Sequence, residues 1–121
     1  MATYNIVYKD RDNPLFVQLS STDENGVVTK PDLTDAVTKV EVLIKGIYYN
    51  SADYAEAFDY TTEGALGIIC LKLGNIPELV AVKDTAAEII TYDPSNPDGL
   101  VWGTIPIRII QLVGTESTPT P

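Results

Sequence analysis

The sequence contains no histidine and only one cysteine among its 121 residues. Histidine is the commonest general base in proteins, so its absence excludes the usual serine and cysteine catalytic triads. A lone cysteine cannot form an internal disulfide, and a structural zinc site needs more cysteine and histidine ligands than this chain carries. We therefore expect a protein that is not an enzyme and that uses no cofactor.

Positive charge is also scarce, since 8 lysines and arginines face 17 aspartates and glutamates, for a net charge of −9. The basic residues are scattered with no adjacent pair, whereas nucleic-acid affinity requires clustered lysine and arginine. No apolar run approaches the roughly 18 residues of a membrane helix, and no secretion signal is evident near the N-terminus. We expect neither nucleic acid nor membrane as a partner, and the acidic excess favours a basic partner surface.

Apolar residues recur at every second position along most of the chain, as in strands with one buried face. The clearest examples are residues 4–8, 15–19, 39–45 and 100–113. Turn-forming residues separate these runs at spacings of about ten residues. The pattern predicts an all-β protein, an antiparallel immunoglobulin-like β-sandwich of about seven or eight strands with little helix.

The same pattern predicts one domain over residues 1–114, followed by a polar tail at residues 115–121 that is rich in proline and threonine. Pro106 removes a backbone donor from the last strand, so we expect a sheet edge or a bulge there. The densely apolar run 66–73 predicts a central strand buried on both faces, with Cys70 as a small core residue.

The segment 93–99 is the best candidate for a metal site. Asp93, Asn96 and Asp98 could supply oxygen ligands to calcium, and Gly99 permits a sharp turn. The spacing differs from that of an EF-hand, however, and no glutamate stands at the bidentate position. The alternative is a hairpin loop in which these side chains cap the backbone, and we predict that loop and no metal.

Five aromatic residues lie close together in sequence and are candidate partner-binding residues: Tyr48, Tyr49, Tyr54, Phe58 and Tyr60. Exposed rings of this kind form protein-binding or carbohydrate-binding faces. Alternatively, the rings fill one end of the sandwich and leave their hydroxyl groups at its rim.

The loop around Asp32 and Thr34 can be stabilised by its own side chains, and it leads directly into a strand. Asp32 and Thr34 can both accept hydrogen bonds from nearby backbone N–H groups, and the alternating strand follows at once. Together with three further segments, this stretch resembles the immunoglobulin-like, BppU-type modules of bacteriophage baseplate and tail-fibre-attachment proteins. The resemblance spans roughly residues 14–112. The matching segments are Pro14-Leu15-Phe16-Val17-Gln18-Leu19, Asp32-Leu33-Thr34-Asp35-Ala36 with Val40-Glu41-Val42, Glu63-Gly64-Ala65-Leu66-Gly67-Ile68 with Leu71 and Leu73, and Ala86-Ala87-Glu88-Ile89-Ile90-Thr91-Tyr92-Asp93.

The resemblance implies a bacteriophage structural protein, made in the host cytoplasm and located in the virion. Such modules act through protein–protein contacts in the tail, collar or baseplate and fibre-attachment region. The resemblance also implies that the partners are other phage virion proteins and further copies of this chain in a symmetric assembly, and it implies no catalysis. A capsid decoration protein and a carbohydrate-binding β-sandwich module are the alternative functions.

Overall fold

Strands account for most of the computed structural model, which describes residues 4–111. The strands are Asn5–Tyr8 (β1), Leu15–Gln18 (β2), Ser21–Thr22 (β3), Val28–Thr29 (β4), Lys39–Ile44 (β5), Ile47–Asn50 (β6), Phe58–Asp59 (β7), Ile68–Leu71 (β8), Val82–Asp93 (β9) and Asn96–Ile110 (β10). Three short 3₁₀ turns, Ala55–Ala57, Gly64–Leu66 and Leu73–Asn75, are the helical elements of this part. None of the helices within residues 4–111 has the length and apolar character needed to cross a membrane. The predicted all-β class is confirmed.

Two sheets form the body of the molecule. The larger sheet has the order β1-β10-β9-β5-β6, and the smaller sheet has the order β2-β8-β7. This is the strand order of an immunoglobulin-like sandwich. The last two strands, β9 and β10, pair with each other, β9 also pairs with β5, and the second strand, β2, lies in the other sheet. One pair departs from the predicted antiparallel order, since β1 runs parallel to β10.

The core lies between the two sheets. In β5, the inward side chains of Val40, Val42 and Ile44 are buried, which confirms the two-residue alternation of this strand. The opposing strands β8 and β2 contribute Ile69 and Val17 to the same buried cluster. Because side chains alternate between the faces of a strand, the residues between these positions point away from the core.

The loop before β5 is fixed by its own side chains, as its sequence predicts. The Asp32 carboxylate accepts hydrogen bonds from the backbone N–H of Thr34 at 3.0 Å and from the Thr34 hydroxyl at 2.5 Å. These bonds, the hydroxyl first, lower the pKa of Asp32. The Leu33 N–H donates to the Gly64 carbonyl at 2.8 Å, and the Leu33 side chain is fully buried. The loop therefore anchors the connection into β8 as well as starting β5.

The prediction that the run 66–73 is buried on both faces is wrong. The strand itself, β8, is central in the smaller sheet, but only Ile69 and Leu71 face the core. Ile68 and Cys70 point outward and are half-buried. No second layer covers this face of the smaller sheet within the described residues, so an apolar stretch of sequence here forms an outer surface.

Strand β10 confirms the sheet edge expected at Pro106, but it does not keep the alternation predicted for residues 100–113. From its start to Pro106, β10 pairs with β9 on one side, and β1 joins the other side only from Ile107 onward, so Pro106 lies where a sheet edge begins. Register shifts occur at three points, one of them between Val101 and Gly103. The shift turns Val101 outward although it shares sequence parity with the buried Ile107. The predicted tail 115–121 and the predicted domain limit at 114 lie outside the described residues.

Candidate functional site

A groove runs across the outer face of the smaller sheet. The register of β2, β8 and β7 aligns Phe16 with Cys70 and Cys70 with Asp59, so these three side chains form a row across the sheet. Phe16 is 60 % exposed. A solvated sheet face usually carries polar side chains, so an open aromatic ring in the middle of a regular strand marks this face as unusual.

The groove has a volume of about 690 Å³ and is enclosed by segments from three parts of the chain. Its lining residues are Pro14, Phe16, Ala55, Glu56, Asp59, Thr62, Glu63, Ile68, Cys70 and Lys72. The strands β2 and β8 supply the apolar floor, whereas the 3₁₀ turn Ala55–Ala57 and the loop after β7 supply most of the acidic wall. A cavity of this size is in the range of sites that accommodate several side chains or a small ligand.

Three carboxylates, those of Glu56, Asp59 and Glu63, stand around the apolar floor, and Lys72 supplies a single positive charge. Asp59 has a fixed orientation because its carboxylate accepts hydrogen bonds from the backbone N–H and the hydroxyl of both Thr61 and Thr62. These bonds, led by the Thr62 hydroxyl, lower the pKa of Asp59 to about 2. Asp59 therefore remains negatively charged at any pH near neutrality.

Cys70 lies in this groove and not in the core, which corrects the prediction made for it. Its position follows from the alternation of β8, which turns Ile69 and Leu71 inward. Burial raises the pKa of the Cys70 thiol, and the nearby Lys72 offsets this only in part. A thiol with a raised pKa is mostly protonated at neutral pH and therefore reacts slowly with electrophiles.

The five candidate aromatic residues do not form one surface. Tyr49 and Phe58 are buried in the core, where Tyr49 packs against the half-buried Tyr54 with ring centroids 6.3 Å apart. The Tyr54 hydroxyl donates to Glu78 at 2.7 Å, and the Tyr60 hydroxyl donates to the Thr38 carbonyl at 3.2 Å. Only Tyr48, at 57 %, is largely exposed. The arrangement corresponds to the second interpretation given above, in which the rings fill the sandwich and place their hydroxyl groups at its rim.

The segment 93–99 is part of the β9–β10 hairpin. Asp93 Oδ1 accepts hydrogen bonds from the backbone N–H groups of Ser95 and Asn96, each at 2.9 Å, and from the Asn96 side-chain amide at 3.0 Å. Two of the three proposed calcium ligands are therefore bonded to each other, and Asp98 shares none of these bonds. Within residues 4–111, no three histidine, cysteine, aspartate or glutamate side chains are grouped as a metal site would require.

On the larger sheet, the side chains around Glu41 pack against one another and against the β9–β10 hairpin. Glu41 is only 6 % exposed and accepts a short hydrogen bond from the Tyr92 hydroxyl. That bond and the burial of the ring raise the pKa of Tyr92 to about 12. The Lys39 ammonium lies 4.3 Å from the centre of the Tyr92 ring, and a Cβ added at Gly99 would lie 2.8 Å from Ile90.

Sequence reasoning missed the rim of the groove. Glu56, Asp59 and Glu63 belong to a segment whose strand and helix signals are mixed, and their approach to β2 depends on the pairing of distant strands. One signal was available, however. Phe16 occupies the outward parity of a strand whose other parity, Leu15, Val17 and Leu19, is apolar, and an aromatic residue at an outward position is a candidate contact residue.

No family model, curated protein or solved structure matches this chain.

Proposed function

We propose that this protein is a non-enzymatic structural component of a bacteriophage virion, located in the tail, collar or baseplate and fibre-attachment region. Its partners are other virion proteins, together with further copies of itself in a symmetric assembly. The assignment to a phage particle rests on the resemblance of roughly residues 14–112 to BppU-type modules, and the immunoglobulin-like strand order is compatible with it.

One structural observation supports action by protein contact: the open apolar groove on the outer face of the smaller sheet. Exposed apolar area with a polar rim is the usual anatomy of a protein-binding site. The exposed ring of Phe16 and the half-buried Ile68 and Cys70 provide the apolar centre, and the carboxylates provide the rim.

Quantitative mass spectrometry of purified phage particles tests the proposal. We expect the protein in the particle at a fixed ratio to the major capsid protein. A tail, collar or baseplate component of a six-fold assembly would be present in about six or twelve copies, because closed symmetry fixes copy number. Absence of the protein from intact particles would overturn the proposal.

Capsid decoration is the alternative within the same class, and the copy number separates the two. A decoration protein follows the capsid lattice, so hundreds of copies would replace the small number of a tail component. A carbohydrate-binding module loses its sequence argument, because the five aromatic residues from Tyr48 to Tyr60 do not form a shared exposed face.

A further inference from the structure

The groove on the smaller sheet has the features of a site for one kind of partner. We propose that it binds an extended segment of another protein in which an aromatic or branched aliphatic side chain is flanked on both sides by lysine or arginine. The inference deepens the proposed function and rests on it in one respect, since it takes the protein to act by protein contact.

The apolar floor requires the anchoring side chain. Phe16 and Cys70 lie side by side across β2 and β8, and Ile68 extends the floor by one step along β8. The ring of Phe16 is mostly exposed, so a partner side chain placed against it would remove apolar area from water on both molecules. With about 690 Å³ available, the groove has room for one large side chain and parts of its neighbours.

The rim requires the positive charges. Glu56 and Glu63 line the wall formed after β6 and after β7, and Asp59 lies on β7 opposite Cys70 of the floor. The four hydrogen bonds from Thr61 and Thr62 hold Asp59 in one orientation before any partner arrives. One preorganised carboxylate and two further carboxylates beside an apolar floor favour ammonium or guanidinium groups flanking an apolar anchor.

The same charges argue against the other occupants. A second copy of this chain would bring its own excess of acidic residues, 17 against 8 basic residues, to an acidic rim. The chain's own residues 112–121 contain Glu116 and no lysine or arginine, so they lack the complementary charge. Nucleic acid carries negative charge along its whole backbone and is repelled by the rim. A basic segment of a different protein remains as the occupant with matching chemistry.

The single cysteine makes the groove directly measurable, because Cys70 lies in its floor. The probes are three synthetic heptapeptides. The first has leucine–phenylalanine–leucine at its centre with two lysines at each end. The second replaces the lysines by glutamates, and the third replaces the apolar centre by three serines. The measurement is the rate at which iodoacetamide modifies Cys70 at increasing peptide concentration, with the backbone amide shifts of Cys70 and Asp59 as a second readout that does not depend on thiol reactivity.

We expect the first peptide to slow the modification of Cys70 at least fivefold at saturation and to shift both amides, and the other two peptides to do neither. Glu56→Gln combined with Glu63→Gln should weaken binding of the first peptide by about threefold to tenfold, because each variant removes one exposed charge pair. Glu24→Gln combined with Glu88→Gln removes the same charge from the β3–β4 hairpin and the larger sheet and should leave binding unchanged. Phe16→Ala should abolish protection while the melting temperature stays close to that of the parent protein.

The inference would be overturned if the lysine–serine peptide or the glutamate peptide slowed the modification of Cys70 as much as the first peptide does. It would also be overturned if the two double variants changed binding of the first peptide equally. A third contrary result is the absence of any effect of the first peptide at about 1 mM, a concentration that detects even weak binding. These outcomes leave the particle measurement untouched. A protein found in virions that ignores the basic apolar peptide keeps its proposed function and loses this mode of binding. A protein that binds the peptide but is absent from particles does the reverse.

Discussion

At the scale of single residues, the loop before β5 shows how few side chains fix a connection. Asp32 binds the backbone and the hydroxyl of Thr34, and this holds Leu33 over the core. Backbone hydrogen bonding from Leu33 to Gly64 then ties the loop to the turn that precedes β8. Two connections that are far apart in the chain are thereby joined by one backbone hydrogen bond, next to a fully buried side chain.

Leu33→Ala should lower the free energy of unfolding by about 2–5 kcal/mol, because it removes a fully buried leucine and leaves a cavity. Leu66→Ala is the matched control, since Leu66 is 60 % exposed and should cost no more than about 0.5 kcal/mol. Urea denaturation of both variants measures the difference. Equal losses would mean that Leu33 is not the anchor of the loop.

Tyr92→Phe should lower the free energy of unfolding by about 1–3 kcal/mol, because the buried Glu41 carboxylate then loses its hydrogen-bond donor. Tyr48→Phe makes the same chemical change at an exposed ring and should have little effect.

The Tyr92 pair also predicts a loss of stability at high pH. The folded protein keeps the Tyr92 proton up to about pH 12, whereas the unfolded chain releases it near pH 10.0, so this contribution is complete below pH 10.0 and disappears as the pH rises to about 12. Denaturation curves should show a smaller alkaline loss for Tyr92→Phe than for the parent protein. Part of the loss should remain, because the hydrogen bond to Glu78 also raises the pKa of Tyr54 to about 12. Identical alkaline losses would contradict the role given to Tyr92.

At the scale of elements, β10 changes character along its length. Its second half is covered on both sides, by β9 and by β1, and buries Ile107 and Ile109. Its first half has register shifts, the left-handed Gly103 and an uncovered edge, which turn Val101 outward. The strand is therefore a core element at one end and a surface element at the other.

Ile107→Asp should unfold the protein, because a buried unpaired carboxylate costs several kcal/mol, a large fraction of the roughly 5–15 kcal/mol by which domains are stable. Val101→Asp introduces the same side chain in the same strand at a position that is 60 % exposed and should leave the protein folded. Circular dichroism melts of the two variants provide the comparison. A folded Ile107→Asp variant would show that the core is not where the structure places it.

The turn Leu73–Asn75 is packed against the connection between β1 and β2. A Cβ added at Gly74 would lie 2.2 Å from the Tyr8 carbonyl oxygen and 2.4 Å from the Arg11 carbonyl oxygen. Gly74→Ala should therefore cost about 3 kcal/mol or more, at the upper end of single substitutions. Gly26→Ala is the control, because Gly26 has open space around it and should cost only the roughly 1–2 kcal/mol of a left-handed backbone. Similar melting temperatures for the two variants would contradict the close packing at Gly74.

At the scale of the whole molecule, the alternation of residues predicted those features that depend on neighbouring residues. It failed for features that depend on the pairing of distant strands. The buried parity of β5 and the self-pinned loop at Asp32 follow from a few adjacent residues, and the structure confirms both. The turn at Lys45 and Gly46 is a full reversal into β6 with both residues in the left-handed region, and the alternation of residues 39–45 does not predict it. Lysine is uncommon in that conformation, so the residue type gave little warning.

The groove was missed for a related reason. Its floor and wall come from segments near residues 14–16, 55–63 and 68–72, and only the pairing of β2, β8 and β7 brings them together. The run 66–73 has apolar residues at both odd and even positions. Composition alone cannot distinguish a second buried face from an exposed face that binds a partner. The separate positions of the five aromatic residues could not be predicted for the same reason, because the burial of each ring depends on which sheet covers it.

The central claim is that this protein works by being held in a particle through the groove on its smaller sheet. The most direct measurement is the rate of Cys70 modification by iodoacetamide in intact virions, compared with the isolated protein and with particles denatured in urea. The account predicts that Cys70 reacts at least fivefold more slowly in the intact virion than in the isolated protein, and rapidly after denaturation. Equal rates in the virion and in the isolated protein would show that the groove is empty in the particle and would contradict the account.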